Sequence, residues 1–210
     1  MASRLFFPFL VCTMLAGAGK ACAQAPVLAD CTHDRARLLA LDQMQFDQDM
    51  EGGWRVLADK PGCELAAANL LRDYRQAHAK EDGMLSWHEG QLRANAGQYP
   101  QAIGLLEHAR RPAGVPDKAG WNPYVDATVA FLRRDKPALE RAYKRLAAYP
   151  PPAGEGMPVF KNGYVELDMD NGQKRKVRWP LNIDVVEGLL NCYDKPYKEA
   201  YGQACRPPER

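Results

Sequence analysis

The chain has 210 residues, 46% of them hydrophobic and 26% charged, and a formal charge of +2 at neutral pH. Arg4 and Lys20 fall in the first 23 residues, which hold no acid, so the other 187 carry 26 basic and 26 acidic side chains. A neutral domain lacks the basic footprint of nucleic-acid binding, and its length suffices for one core or one domain with an appendage.

Residues 1–23 carry one early base, Arg4, then an apolar run from Leu5 to Gly17 and the small-residue site Ala21-Cys22-Ala23. That is the pattern of a secretory signal peptide cleaved after Ala23, and it predicts a periplasmic or secreted protein. The run falls short of the roughly twenty residues that span a bilayer, and no second one follows, so no transmembrane segment is expected. Cys22 offers the rival of a lipidated cysteine, against which Lys20 stands where such a signal wants an apolar residue. Without Cys12 and Cys22, four cysteines remain, which in an exported chain suggests two disulfides. Of three pairings, nearness along the chain favours Cys31–Cys63 and Cys192–Cys205, each stabilising by about 3 kcal/mol. No CxxC spacing supports a redox or zinc site.

From Asp34 to Met50, Leu38, Leu41, Met44 and Phe46 recur near helical spacing and predict a first helix. After Gly52-Gly53, Trp54 to Ala58 suggests a short helix, and Leu65, Ala68, Leu71 and Tyr74 form the stripe of a third, over 63–79. A helix over 84–96, a corner at Gly97-Gln98-Tyr99 and a helix over 100–111 follow. Asn122-Pro123 reads as the cap and first residue of a helix over 124–134, with another over 138–148. Pro150-Pro151-Pro152 ends the helical pattern. The expected division is therefore signal 1–23, helical domain 24–150 and end-piece 151–210.

In the end-piece, alternating segments over 164–169 and 174–179 flank Asp170-Asn171-Gly172, the pattern of a β-hairpin. A three-residue loop with left-handed Gly172 sets Val165 opposite Val177 and places Glu166 and Asp168 opposite Lys176 and Lys174. A two-residue loop would oppose Val165 to Arg178, so cross-strand pairing favours the first register. Lys174, Arg175, Lys176 and Arg178 then read as a solvated sheet face rather than an anion patch. Ile183, Val186, Leu189 and Leu190 stripe a further helix, and Pro196 opens a last short one, both stapled by Cys192–Cys205. This end-piece would cover the apolar flank of the preceding helices.

Gly90, Gly97, Tyr99, Ala102, Leu106 and Ala109 fall at the spacings of the tetratricopeptide signature, where small residues let two helices cross closely. The chain resembles a tetratricopeptide-repeat protein over this one repeat. Ser86 stands where the family prefers tryptophan, with Trp87 one place later, and Arg93 where it prefers a large aromatic. A fainter copy follows, with Ala138 and Ala142 36 residues after Ala102 and Leu106 and with Asp126 and Arg133 at its glycine sites. The fold class expected is mainly α, a helical-hairpin array with a small C-terminal β-hairpin and stapled short helices. An irregular helical bundle would have the same composition.

No residue pattern points to catalysis. His33, His78, His88 and His108 are scattered, and His88-Glu89 lacks the second histidine of a zinc-protease helix. The Asp168-Met169-Asp170-Asn171-Gly172 run has its glycine one place early for a calcium loop and Trp179 where the bidentate glutamate belongs. No nucleophile elbow or phosphate-binding loop occurs, nothing marks the paired acids Asp47 and Asp49 as buried, and no cofactor or metal is expected. The resemblance implies a protein or peptide partner lying on a concave face formed by Met84, Trp87, Gln91 and Asn95, flanked by Trp121, Asn122 and Tyr124. Trp87 reads equally as a packing residue between helices. The alternative is a periplasmic immunity or inhibitor protein acting on a toxin or hydrolase.

Overall fold

A computed structural model describes residues 29–79, 82–117, 119–154, 157–168 and 172–208; the expected signal peptide and its cleavage point lie outside them. The carboxylate of Asp34 accepts from the Arg37 amide at 3.0 Å and starts α1 (Arg35–Leu39). The single helix expected over 34–50 is broken. Asp42 Oδ1 takes the Gln45 amide at 2.8 Å, and the chain resumes as a π-turn, Met44–Gln48. A side chain that offers the backbone another partner interrupts a helix in this way. The π-turn buries Phe46 and Asp47 and leaves Met44 outside.

Gly53 joins the turn to α2 (Arg55–Ala58) at φ +56°, where a Cβ would lie 1.9 Å from the Phe46 carbonyl oxygen. Only glycine fits there. Cys63, bonded to Cys31, precedes α3 (Glu64–Ala77), whose Ala67, Ala68, Leu70, Leu71 and Tyr74 are buried. Phe46 stacks on Tyr74 with ring centres 3.7 Å apart.

Next come α4 (Gly83–Asn95), capped by the Asp82 carboxylate on the Met84 and Leu85 amides, and α5 (Tyr99–His108). At their crossing a Cβ on Gly90 would lie 2.9 Å from Leu106 Cγ and 3.3 Å from the Ala102 carbonyl oxygen. Glycine there sets the approach of the two helices. Then follow α6 (Trp121–Leu132) and α7 (Lys136–Ala147), the latter capped by Asp135. The expected Asn122 cap is replaced: α6 begins two residues earlier, after Gly120, and Asp117 accepts from the Trp121 and Asn122 amides, each at 2.8 Å.

Three antiparallel strands follow, β1 (Phe160–Lys161), β2 (Tyr164–Asp168) and β3 (Lys174–Arg178), in that order across the sheet. Val165 faces Val177, Glu166 faces Lys176 and Asp168 faces Lys174, the register of the three-residue loop. Gly172 is left-handed at φ +75°. Only the short β1 was unforeseen. The bases of β3 find different partners: Lys174 reaches Glu166 at 3.8 Å, Lys176 lies 4.3 Å over the Tyr164 ring, and Arg178 pairs with Glu187 of α8 (Ile183–Asn191). The chain closes with α9 (Tyr197–Tyr201) and a 3₁₀ turn, Gln203–Cys205, tied by Cys192–Cys205.

The core has two clusters that meet at α4. Leu85 and Leu92 join the side chains of α1, the π-turn, α2 and α3, whereas Trp87 and Ala94 join those of α5 to α9. Residues Ile183, Val186, Leu189 and Tyr197 of the end-piece lie in the second cluster, so the core is not divided at residue 150. The molecule is mainly helical with a small sheet near the C-terminus. Among the described residues, no helix is long and apolar enough to cross a membrane.

Candidate functional site

The helix face expected to carry a partner is occupied by the chain itself. Trp87 is 3% exposed, its ring 4.8 Å from Trp121 and 4.9 Å from Tyr124, and Tyr124 is 2% exposed. Both are core residues rather than groove contacts. Two rings of α6 pack over one indole, which removes its surface from water. Trp121 donates its indole N–H to the Ala109 carbonyl at 2.7 Å. Asn122 exchanges two bonds with the backbone of Arg111 and so secures the loop before α6.

Of the remaining α4 positions, Gln91 faces the hydroxyl of Tyr197 in α9, the Asn95 side-chain oxygen is buried, and Met84 at the helix start is exposed. Tyr99 Oη accepts the Tyr197 amide at 3.1 Å, and Lys198 pairs with Glu64 at the start of α3. Burial pushes the Tyr124 and Tyr197 phenols well above their usual range.

Arg93 belongs to a buried charge network. Glu89 takes Arg93 Nε at 2.8 Å on one oxygen and Arg75 at 2.7 Å on the other, while Arg93 also donates to Gln98 at 2.9 Å. The buried Arg93 guanidinium is paired with the Glu89 carboxylate.

A second polar cluster joins the π-turn to α4. The fully buried Asp47 accepts from Trp54 Nε1 at 2.8 Å and Gln48 Nε2 at 2.6 Å, and His88 Nδ1 lies 2.7 Å from it. Burial raises the Asp47 carboxyl, but the bonds and charge of His88, the Trp54 bond and the Arg55 charge outweigh it and hold the group below its ordinary value. A carboxylate behind an imidazole also positions a general base, yet no nucleophilic side chain is bonded to His88 among the described residues. The pairing leaves no local pattern in the sequence, because the contact spans 41 positions.

The open surface lies on the other side of the π-turn. A cleft of about 470 Å³ runs between α1, the π-turn and α2, floored by Leu38, Leu41 and Leu57. Its sides carry His33, Arg37 and Lys60 against Asp34, Asp49 and Glu51. Lys60 donates to the Thr32 carbonyl, His33 contacts that of Cys31, and Asp34 and Asp49 accept backbone amides. Arg37, Gln45 and Glu51 have no side-chain bond among the described residues. Met44, Met50 and Val56 in the same segment are 64, 73 and 53% exposed. An apolar floor with a few polar groups around it is the usual form of a binding cleft. No group of three or more potential metal ligands occurs among the described residues.

Comparisons with family models, with curated proteins and with solved structures found no match for the chain.

Proposed function

We propose that the chain is an exported, tetratricopeptide-like interaction module that takes a segment of a partner protein in the cleft between α1 and α2. The observation that carries this is the exposure of Met44, Met50 and Val56 in the segment that forms one wall of an apolar-floored cleft. Large apolar side chains grouped in one stretch favour association, and unbranched methionines adapt to varied partner surfaces. The close crossing at Gly90, Ala102 and Leu106 supports the resemblance to the repeat family, and the two disulfides fit an oxidising compartment such as the periplasm. The α4 face, filled by α9, is not the docking surface in this reading.

The test is site-specific photo-crosslinking in the exporting cell, with the probe at Val56 or, as a control, at the exposed Glu140 of α7. A discrete adduct is expected at Val56 alone, and Arg37→Glu in the cleft wall should abolish it without moving the melting temperature. An adduct unaffected by Arg37→Glu would remove the cleft from consideration. Recovery of a hydrolase or toxin that loses activity on binding would replace the module reading with that of an inhibitor.

A further inference from the structure

A second concave site lies between α5, α6 and α7, with Arg110, Arg133, Arg141 and Arg145 around a crevice of about 220 Å³. Three acids share it, and all are engaged. Asp126 holds Arg110 on one oxygen and Arg145, at 2.8 Å, on the other. Glu107 takes Arg133 at 3.0 Å, and Asp135 caps α7 through the Ala138 amide at 2.9 Å. Arg141 has no partner among the described residues.

A guanidinium offers five N–H donors in a planar fork, and these ion pairs occupy only part of that capacity. The acids therefore hold three arginines in place, while the unused groups are predominantly donors around Arg141, the one cation of the crevice without a partner among the described residues. The floor is apolar, formed by the buried Val129 and Ala130 with Ala138 beside them. Donors at the rim over an apolar floor match an oxyanion carried on a hydrocarbon stem, since forked guanidinium bonds suit a tetrahedral dianion.

We infer that this crevice binds a phosphate monoester, with Arg141 as its principal ligand and the stem of the ester on Val129 and Ala130. The site lies on elements other than those of the α1–α2 cleft and does not depend on the function proposed for that cleft.

Calorimetric titration of the whole protein with phenyl phosphate and with inorganic phosphate tests this. Saturable binding of both is expected, with phenyl phosphate several-fold tighter. Arg141→Gln should weaken both by about tenfold, the usual effect of losing one charge-assisted bond. Its melting curve should not move, since Arg141 bonds to nothing. Lys144→Gln, an exposed charge of the same helix outside the crevice, should leave binding unchanged. Equal affinity for the two probes would overturn the inference of a monoester with a stem. Equal weakening by Arg141→Gln and Lys144→Gln would reduce the site to general electrostatic attraction, and no saturation at millimolar probe would remove it.

Discussion

The carboxylate of Asp47 and the imidazole of His88 meet at 2.7 Å across 41 positions of chain and tie the π-turn to the central helix. The same oxygen accepts the Trp54 indole N–H, so one buried carboxylate organises groups from three segments. Asp47→Ala would strand those donors, and a buried donor left unpaired costs about 1–3 kcal/mol. We expect a loss of about 3 kcal/mol in urea unfolding, against a change within about 0.5 kcal/mol for Asp59→Ala on the surface. Equal effects of the two would deny Asp47 its bracing role.

Acid should destabilise the fold earlier than its neutral charge balance suggests. The carboxyls of Asp47, Asp73, Asp82 and Glu64 are each raised by burial and lowered further by their hydrogen bonds, ending below their ordinary values. A group depressed in the folded state adds stability above its unfolded value, near pH 4, and loses it as pH falls through the folded value. The urea midpoint should therefore be level near neutrality and drop steadily below about pH 4. Asp47→Asn should show a shallower drop; an identical slope would mean that the buried carboxylate contributes nothing to the acid limb.

Two glycines distinguish backbone constraint from helix contact. Gly53→Ala forces a positive φ and a clash with the Phe46 carbonyl, so it should cost more than about 3 kcal/mol. Gly90→Ala gains helix propensity but presses on Leu106, for a net loss of about 1 kcal/mol. Differential scanning calorimetry should rank Gly53→Ala as much the more damaging, and the reverse order would contradict the close contact at the Phe46 carbonyl.

Trp87→Ala should act through the core. Removal of a fully packed indole costs about 3–5 kcal/mol, and the rings of Trp121 and Tyr124 lose their common neighbour. Near-UV circular dichroism should lose intensity along with the fall in stability. An unchanged melting temperature would return Trp87 to the surface.

The parts of the fold that were legible in the sequence depend on short-range pattern. Helical spacing located α3 to α8, the alternation around Gly172 set the β2–β3 register, and nearness along the chain paired Cys31 with Cys63 and Cys192 with Cys205. The failures share a physical origin in contacts made far along the chain or in local bonds that override periodicity. Asp42 interrupted a stripe that apolar spacing alone made continuous. The burial of Asp47 depends on His88, and the covering of Gln91 depends on Tyr197. The α1–α2 cleft is not legible in the sequence because the exposed Met44 falls at helical spacing with Leu38 and Leu41, although its polar neighbours Gln43 and Gln45 signal surface.

The bond between Lys198 and Glu64 joins residues 134 positions apart. During vectorial emergence of the chain, α3 and α4 are therefore complete long before the helix that seats on them arrives. Until the segment around Tyr197 has emerged, Gln91 and part of the aromatic cluster at Tyr124 lack the cover that it supplies. The closing contacts are thus the slow, non-local ones, and a half-emerged chain carries the surface that the finished protein hides.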